Sequence, residues 1–258
     1  MIVFLAVYSL YSVIYAFYYG IPTVVMLFRY YWDGEIVLCP PEELREDVLW
    51  ATEKWNHAIQ YFSLRYVLLD ALKTSIRVSD DYSKCNVFFE HFDSLERCPL
   101  LGEVSGQPSL DLNTVVAYVN FTSPPLPTVD VNVTTPIKAA KIHLWRGLNT
   151  LERRAVLLHE IAVLLGIGKP TYTRQPKYPS SSDLWGSLEV TSVDIYALFL
   201  KNRYAESGGG VIKAVTPWII PYTTVAEDLQ NTILSLCISS IASIITYISL
   251  SKRWGNLG

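Results

Sequence analysis

Leu157-Leu158-His159-Glu160-Ile161-Ala162-Val163-Leu164-Leu165-Gly166-Ile167-Gly168-Lys169 places one imidazole and one carboxylate, side by side, in an otherwise apolar helical run. On a helix, residues four apart share a face. A His at i and another at i+4 can therefore grip one zinc ion, while the Glu at i+1 acts as general base on the metal-bound water. Here the i+4 position is Val163. In the longer pattern H-E-x-x-H-x-x-G-x-x-H, a glycine ends the helix and turns the chain so that a third His reaches the same metal. Gly166 stands at that glycine position and Lys169 at that of the third His.

The substitutions bear directly on metal binding. A site of this kind needs three protein ligands plus water, and one imidazole alone does not hold the ion at cellular concentrations. An ammonium at about 4 Å, with an effective dielectric of about 20, repels a divalent ion by roughly 8 kcal/mol. That figure is an upper bound, because a lysine escapes by swinging outward or by losing its proton. The expectation is a chain without a bound cofactor, in which His159 is a vestigial metal ligand and Glu160 a vestigial general base.

The chain has 258 residues, a formal net charge of -3 and only 17% charged residues, with a mean hydropathy of +0.24. Two uncharged segments account for the bias, residues 2–28 and 231–250. About 20 apolar residues at 1.5 Å each cross the roughly 30 Å hydrocarbon core, so each is long enough to span. The first lacks a basic n-region and an A-x-A-like cleavage site, which favours a retained anchor over a cleaved signal peptide. The second comes after Glu227 and Asp228 and precedes Lys252 and Arg253, which points to a cytoplasmic C-terminus. The expected organisation is a transmembrane helix over 1–29, an extracytoplasmic domain over 30–207, a tether over 208–229, a second transmembrane helix over 230–251 and a tail over 252–258. This organisation locates the chain in the plasma membrane, with two spans and both termini cytoplasmic.

Asn120-Phe121-Thr122 and Asn132-Val133-Thr134 are glycosylation acceptor triplets on the translocated side of this topology. Cys85 and Cys98 are close enough in sequence to close a short disulfide loop, leaving Cys39 unpaired and Cys237 within the membrane. Tyr8, Tyr11, Tyr15 and Tyr18 form one helical stripe in the first span, and Ser235, Ser239 and Ser243 one in the second. Small residues admit close approach and a phenol in lipid needs an acceptor, so the stripes are expected to meet. Tyr18, the outermost, is as readily explained as an interfacial anchor.

Between the spans, Pro40-Pro41-Glu42-Glu43 opens an amphipathic helix over 44–61, with Val48, Leu49, Trp55, Ala58, Ile59 and Phe62 at helical spacing. Residues 75–78, 86–89, 115–121 and 139–144 read as strands. Thr150 is a candidate cap for the helix through His159, and Thr191-Ser192-Val193-Asp194 opens a last helix through Tyr204. Helix, several strands, helix and a short segment with one more helix make an α+β layout. Gly208-Gly209-Gly210 begins the tether, and residues 217–222 look like an interfacial approach to the membrane.

Over residues 42–205 this order resembles the metzincin clan of zinc peptidases, within it the matrixin-like and archaeal matrixin-like proteins. The helix bearing Asp47, Trp50, Trp55 and Asn56 is similar to that family's first helix, and Asp194-Ile195-Tyr196-Ala197-Leu198 to the start of its last. The resemblance implies a twisted mixed sheet with a backing helix and an active-site helix, then a small C-terminal subdomain. It also implies a methionine-bearing turn beneath the metal, for which Ser182-Asp183-Leu184-Trp185 is the counterpart, with Leu184 in place of Met. In active relatives a substrate strand pairs with the sheet edge above the cleft, which assigns peptide binding to Val115, Ala117, Val119 and Leu184.

These residues support three functional readings. The first is a membrane-anchored pseudopeptidase, without zinc or proteolysis, that binds a polypeptide or protein partner in its cleft; changing Glu160 should leave such binding nearly intact. The second is an active zinc endopeptidase with substitute ligands, for which His57, His91 and His143 are the remaining histidines. The third is a structural subunit of a membrane complex, joined to its protein partner through the spans. Membrane lipid is an expected contact in each. A slightly negative charge, with no Lys/Arg cluster and no phosphate-binding glycine loop, argues against nucleic acid.

Overall fold

The computed structural model describes residues 1–20, 23–28, 32, 34–92, 117–121, 138–172, 188–204, 211–217 and 220–255. In chain order the elements are α1 (Ile2–Tyr19), β1 (Thr23–Phe28), β2 (Ile36–Cys39), α2 (Glu42–Arg65), β3 (Ile76–Val78), β4 (Val87–Phe92), β5 (Ala117–Phe121), β6 (Ala140–Trp145), α3 (Thr150–Leu164), β7 (Ile167–Tyr172), α4 (Ser192–Tyr204), β8 (Val211–Val215) and α5 (Val225–Gly255). Together they form a mixed α/β domain flanked by two helices long and apolar enough to cross a membrane.

Helix α2 starts where Pro41 holds an extended φ of -64° at the N-cap. Glu42 and Glu43 then meet the positive end of the helix dipole, and Arg65 meets the negative end. Its buried stripe, Leu44, Val48, Ala51, Trp55, Ala58 and Phe62, recurs every three or four residues and joins the core shared with α3 and α4.

The larger sheet has the order β3-β2-β4-β6-β5. Strands β3, β2, β4 and β6 are parallel, and β5 runs antiparallel to β6 at one edge. Every residue of β2 is buried, as expected for a strand inside a parallel sheet. In β6, Ala140, Ile142 and Leu144 are buried and alternate with half-buried Lys141, His143 and Trp145.

The expected bridge between Cys85 and Cys98 is replaced by one between Cys85 and Cys39. Sheet pairing supplies the reason. Val37 donates its N–H to Asn86 Oδ1 (2.7 Å), and Asn86 donates its N–H to the Val37 carbonyl (3.1 Å). This register brings the end of β2 beside the start of β4 and sets the two cysteine Cα atoms 5.9 Å apart, within disulfide reach. Cys98 lies outside the described residues. Cys85→Ser is expected to destabilise the fold by about 2–4 kcal/mol, from the freed loop in the unfolded chain. The measurement is thermal unfolding of variant and wild type with and without reductant; a reductant effect equal in both would count against the bridge.

A second sheet, β7-β1-β8, is antiparallel throughout and has no counterpart among the expected elements. It redraws two expected boundaries. The apolar run of 2–28 divides: α1 stops at Tyr19 with Gly20 extended behind it, and β-branched Thr23-Val24-Val25 continue as a strand. Residues 211–215 of the expected tether are strand β8, while Gly208, Gly209 and Gly210 lie outside the described residues.

Helices α1 and α5 lie antiparallel. Tyr222 donates its N–H to the Tyr19 carbonyl (2.9 Å), and two turns further on the Tyr11 hydroxyl donates to Asn231 Oδ1 (3.4 Å). The tyrosine and serine stripes therefore do meet: Tyr15, Ser235 and Ser239 are buried between the helices, and Tyr18 is exposed. The opposite faces present Ile2, Phe17, Ile245 and Tyr247 outward. So large an uncovered apolar surface suits hydrocarbon and not water.

Candidate functional site

Helix α3 carries the quoted motif and is fixed at both ends. Its N-cap is Asn149 and not Thr150: Asn149 Oδ1 accepts from the N–H groups of Leu151 (3.0 Å) and Glu152 (3.1 Å), and Glu152 Oε2 accepts from the Asn149 N–H (2.9 Å). That is a complete capping box, and Asn is at least as good a cap as Thr. Buried Asp47 of α2 accepts from Arg153 Nε and Arg154 Nε, both at 2.6 Å. Buried Trp55 donates its indole N–H to the Leu158 carbonyl (3.1 Å), next to His159. At the far end, Trp32 donates to the Leu164 carbonyl (2.8 Å).

Gly166 has φ +79°, the left-handed position that glycine takes at a helix end, and its N–H bonds to the Val163 carbonyl (2.9 Å). The turn read from the motif is therefore present. Beyond it the chain enters strand β7, with Ile167 opposite Leu27 and Gly168 opposite Met26. Lys169 falls within β7 at the register shift between the Gly168–Met26 and Thr171–Val24 pairs.

Along α3, His159 is half-buried, Glu160 is 4% exposed and Val163 packs against the core. Burial pushes the Glu160 carboxyl up to about 8. A carboxyl so shifted is largely neutral at neutral pH. An acid whose folded pKa exceeds its unfolded value holds its proton longer in the fold. Stability therefore falls as pH rises from about 4.5 to about 8 and is flat above. Glu160→Gln is expected to abolish that fall and to gain stability over wild type most at pH 8 and above. Denaturant midpoints of the two proteins across pH 5–9 test it; parallel curves would refute the buried neutral acid.

The other histidines face other partners. His143 Nδ1 is 3.5 Å from Glu90 Oε2, on the face of β6 opposite buried Ile142 and Leu144, and burial pushes its imidazole below the usual range. His91 Nδ1 is 3.7 Å from Glu43 Oε1, and His57 is exposed on α2. Among the described residues no group of three or more His, Cys, Asp and Glu side chains could hold a metal ion. The residues present do not fit the zinc that the motif implies: one imidazole, a hydrocarbon at i+4 and a lysine in a paired strand are not a ligand set.

Among the sequence-predicted cleft residues, Ala117 and Val119 lie in β5, opposite Leu144 and Ile142 of β6. Among the described residues the other side of β5 has no strand. Val115 and Leu184 lie outside the described residues, as does the whole Ser182-Asp183-Leu184-Trp185 turn. Of the two glycosylation acceptors, Asn120 lies in β5 opposite Lys141 and Asn132 is outside the described residues. Comparison with known proteins finds no family model that matches the chain and no curated protein that matches it.

A second polar centre, absent from the sequence reading, joins domain to span. Asp228, 0% exposed in the first turn of α5, accepts from the hydroxyls of Tyr61 (2.7 Å) and Tyr66 (2.8 Å) and from Arg65 Nε (3.1 Å). Burial, and then the Asp228 carboxylate, push both phenols well above the usual range. The available clue was the pairing of an acid at the head of an apolar segment with a helix ending Tyr61, Arg65 and Tyr66. Only the fold shows that these meet.

Proposed function

We propose that the chain is a membrane-anchored pseudopeptidase: a metzincin-like domain on two spans, without zinc chemistry, that binds a polypeptide or protein partner outside the cytoplasm. The reading rests on one observation, the replacement of the metal-binding i+4 residue by core-packed Val163 in a helix that otherwise keeps its His-Glu pair and its glycine turn. The helix-backed sheet, with α3 after the last strand and α4 beyond it, supports the same kinship. The antiparallel spans, with Lys252 and Arg253 beyond the second, support a topology in which both termini are cytoplasmic.

The binding element we assign is β5. An edge strand offers unpaired N–H and C=O groups to an extended chain, and that pairing does not need a metal. The test uses the full chain in detergent, equilibrated with zinc and desalted. Metal well below one ion per chain, with no cleavage of unfolded casein, is expected; stoichiometric zinc lost in His159→Ala would overturn the reading. A photocrosslinking residue at position 119 should capture a discrete partner in native membranes that the same residue at exposed position 57 does not. Equal capture at the two positions would remove β5 from the proposal.

A further inference from the structure

A cavity of about 210 Å³ lies between α1 and α5 at their domain ends, lined among others by Tyr11, Tyr15, Arg65, Tyr66, Asn231 and Ser235. It exceeds the roughly 150 Å³ that admits a benzene ring and is too small for a peptide segment. Its polar groups divide into two sets. Tyr66 is bound to Asp228, and Asn231 receives Tyr11 while its Nδ2 donates to the Glu227 carbonyl (2.7 Å). Nearby hydroxyls on the same helices turn back onto their own backbones: Ser12 to Tyr8, Thr232 to Asp228 and Ser239 to Ser235, at 2.7–2.9 Å.

Ser235 does not turn back. Its hydroxyl, on a residue 2% exposed, has no hydrogen-bond partner, and the Tyr15 hydroxyl, on a residue 9% exposed, meets only the Thr223 hydroxyl, which leaves its own proton without an acceptor. Beside them Arg65 commits its Nε–H to Asp228 and a further donor to the Tyr8 hydroxyl, which leaves the remaining guanidinium N–H groups for a ligand. Buried donors without acceptors call for a ligand that brings acceptors. Tyr15 is about 6 Å along α1 from Tyr19 and Ser235 about 15 Å along α5 from Val225, so the pocket opens where lipid phosphates and esters lie.

We propose that this cavity binds the phosphate group of a membrane phospholipid, held by Arg65 and by the hydroxyls of Tyr15 and Ser235. The site is independent of whether the domain is a pseudopeptidase, and the zinc and crosslinking results leave it untouched. The experiment is native mass spectrometry of the full chain, delipidated in mild detergent and titrated with dioleoylphosphatidylglycerol, with the matching diacylglycerol, or with inorganic phosphate. One phosphatidylglycerol per chain is expected, with no retained diacylglycerol and no binding of inorganic phosphate at equal concentration. Tyr15→Phe and Ser235→Ala, which remove only the oxygens, should each weaken binding about tenfold, and Ser235→Leu should abolish it. Four results would overturn the proposal: no retained phospholipid, equal retention of the diacylglycerol, saturation by inorganic phosphate alone, or wild-type affinity in both isosteric variants.

Discussion

Trp55→Ala is expected to destabilise the domain by about 3–5 kcal/mol, a large part of a stability of about 5–15 kcal/mol. The indole is 0% exposed and sits in the core common to α2, α3 and α4. Its removal leaves a cavity the size of the ring and also strips the Leu158 carbonyl of the N–H it receives across 3.1 Å. Trp55→Phe separates the two losses: most of the apolar contact stays and the hydrogen bond goes, for about 1–2 kcal/mol. Near-UV circular dichroism of the full chain in detergent, tracked through a denaturant series, measures both. If the two variants lose the same amount, the volume of the ring is not what counts at this position.

Asp228→Ala is expected to cost about 3–5 kcal/mol, by leaving two phenols and a guanidinium without their common acceptor. The Arg65 side chain is 31% exposed and recovers some hydration, which places the effect toward the lower end. Asp228→Asn keeps an oxygen for the tyrosines but no charge for the arginine, and should fall between wild type and alanine. The loss should concentrate where α2 meets α5. Hydrogen exchange is therefore expected to rise at the C-terminal turns of α2 and the first turns of α5, with the β4–β6 ladder unchanged. A variant within about 0.5 kcal/mol of wild type would mean that water replaces the carboxylate at no cost.

Local signals were legible in the sequence. The stripe of Val48, Trp55, Ala58, Ile59 and Phe62 marks α2 because a half-buried helix needs an apolar face, and the β-branched runs mark β3 through β6. Gly166 was legible as a turn because only its left-handed φ continues the chain from that helix end. The sheet β7-β1-β8 was not. Thr23–Phe28 continues an uncharged segment, and hydropathy alone cannot separate a strand from the end of a span.

The disulfide was misread for a similar reason. Nearness in the chain favoured Cys85 and Cys98, while the partner of Cys85 was decided by β2–β4 pairing 46 residues away. At the candidate site the lack of a metal-binding side chain at 163 could be read from residue type alone. The neutral state of Glu160 could not, because it comes from burial.

Strands β1 and β8 have a mechanical consequence. One emerges directly behind α1, the other leads toward α5, and the two are hydrogen-bonded to each other from Val24–Val215 to Phe28–Val211. Both legs of the molecule are thus laced together before they enter the bilayer, and Asp228 adds a third rivet from α2. Such a pedestal ties the domain to both anchors through backbone pairing.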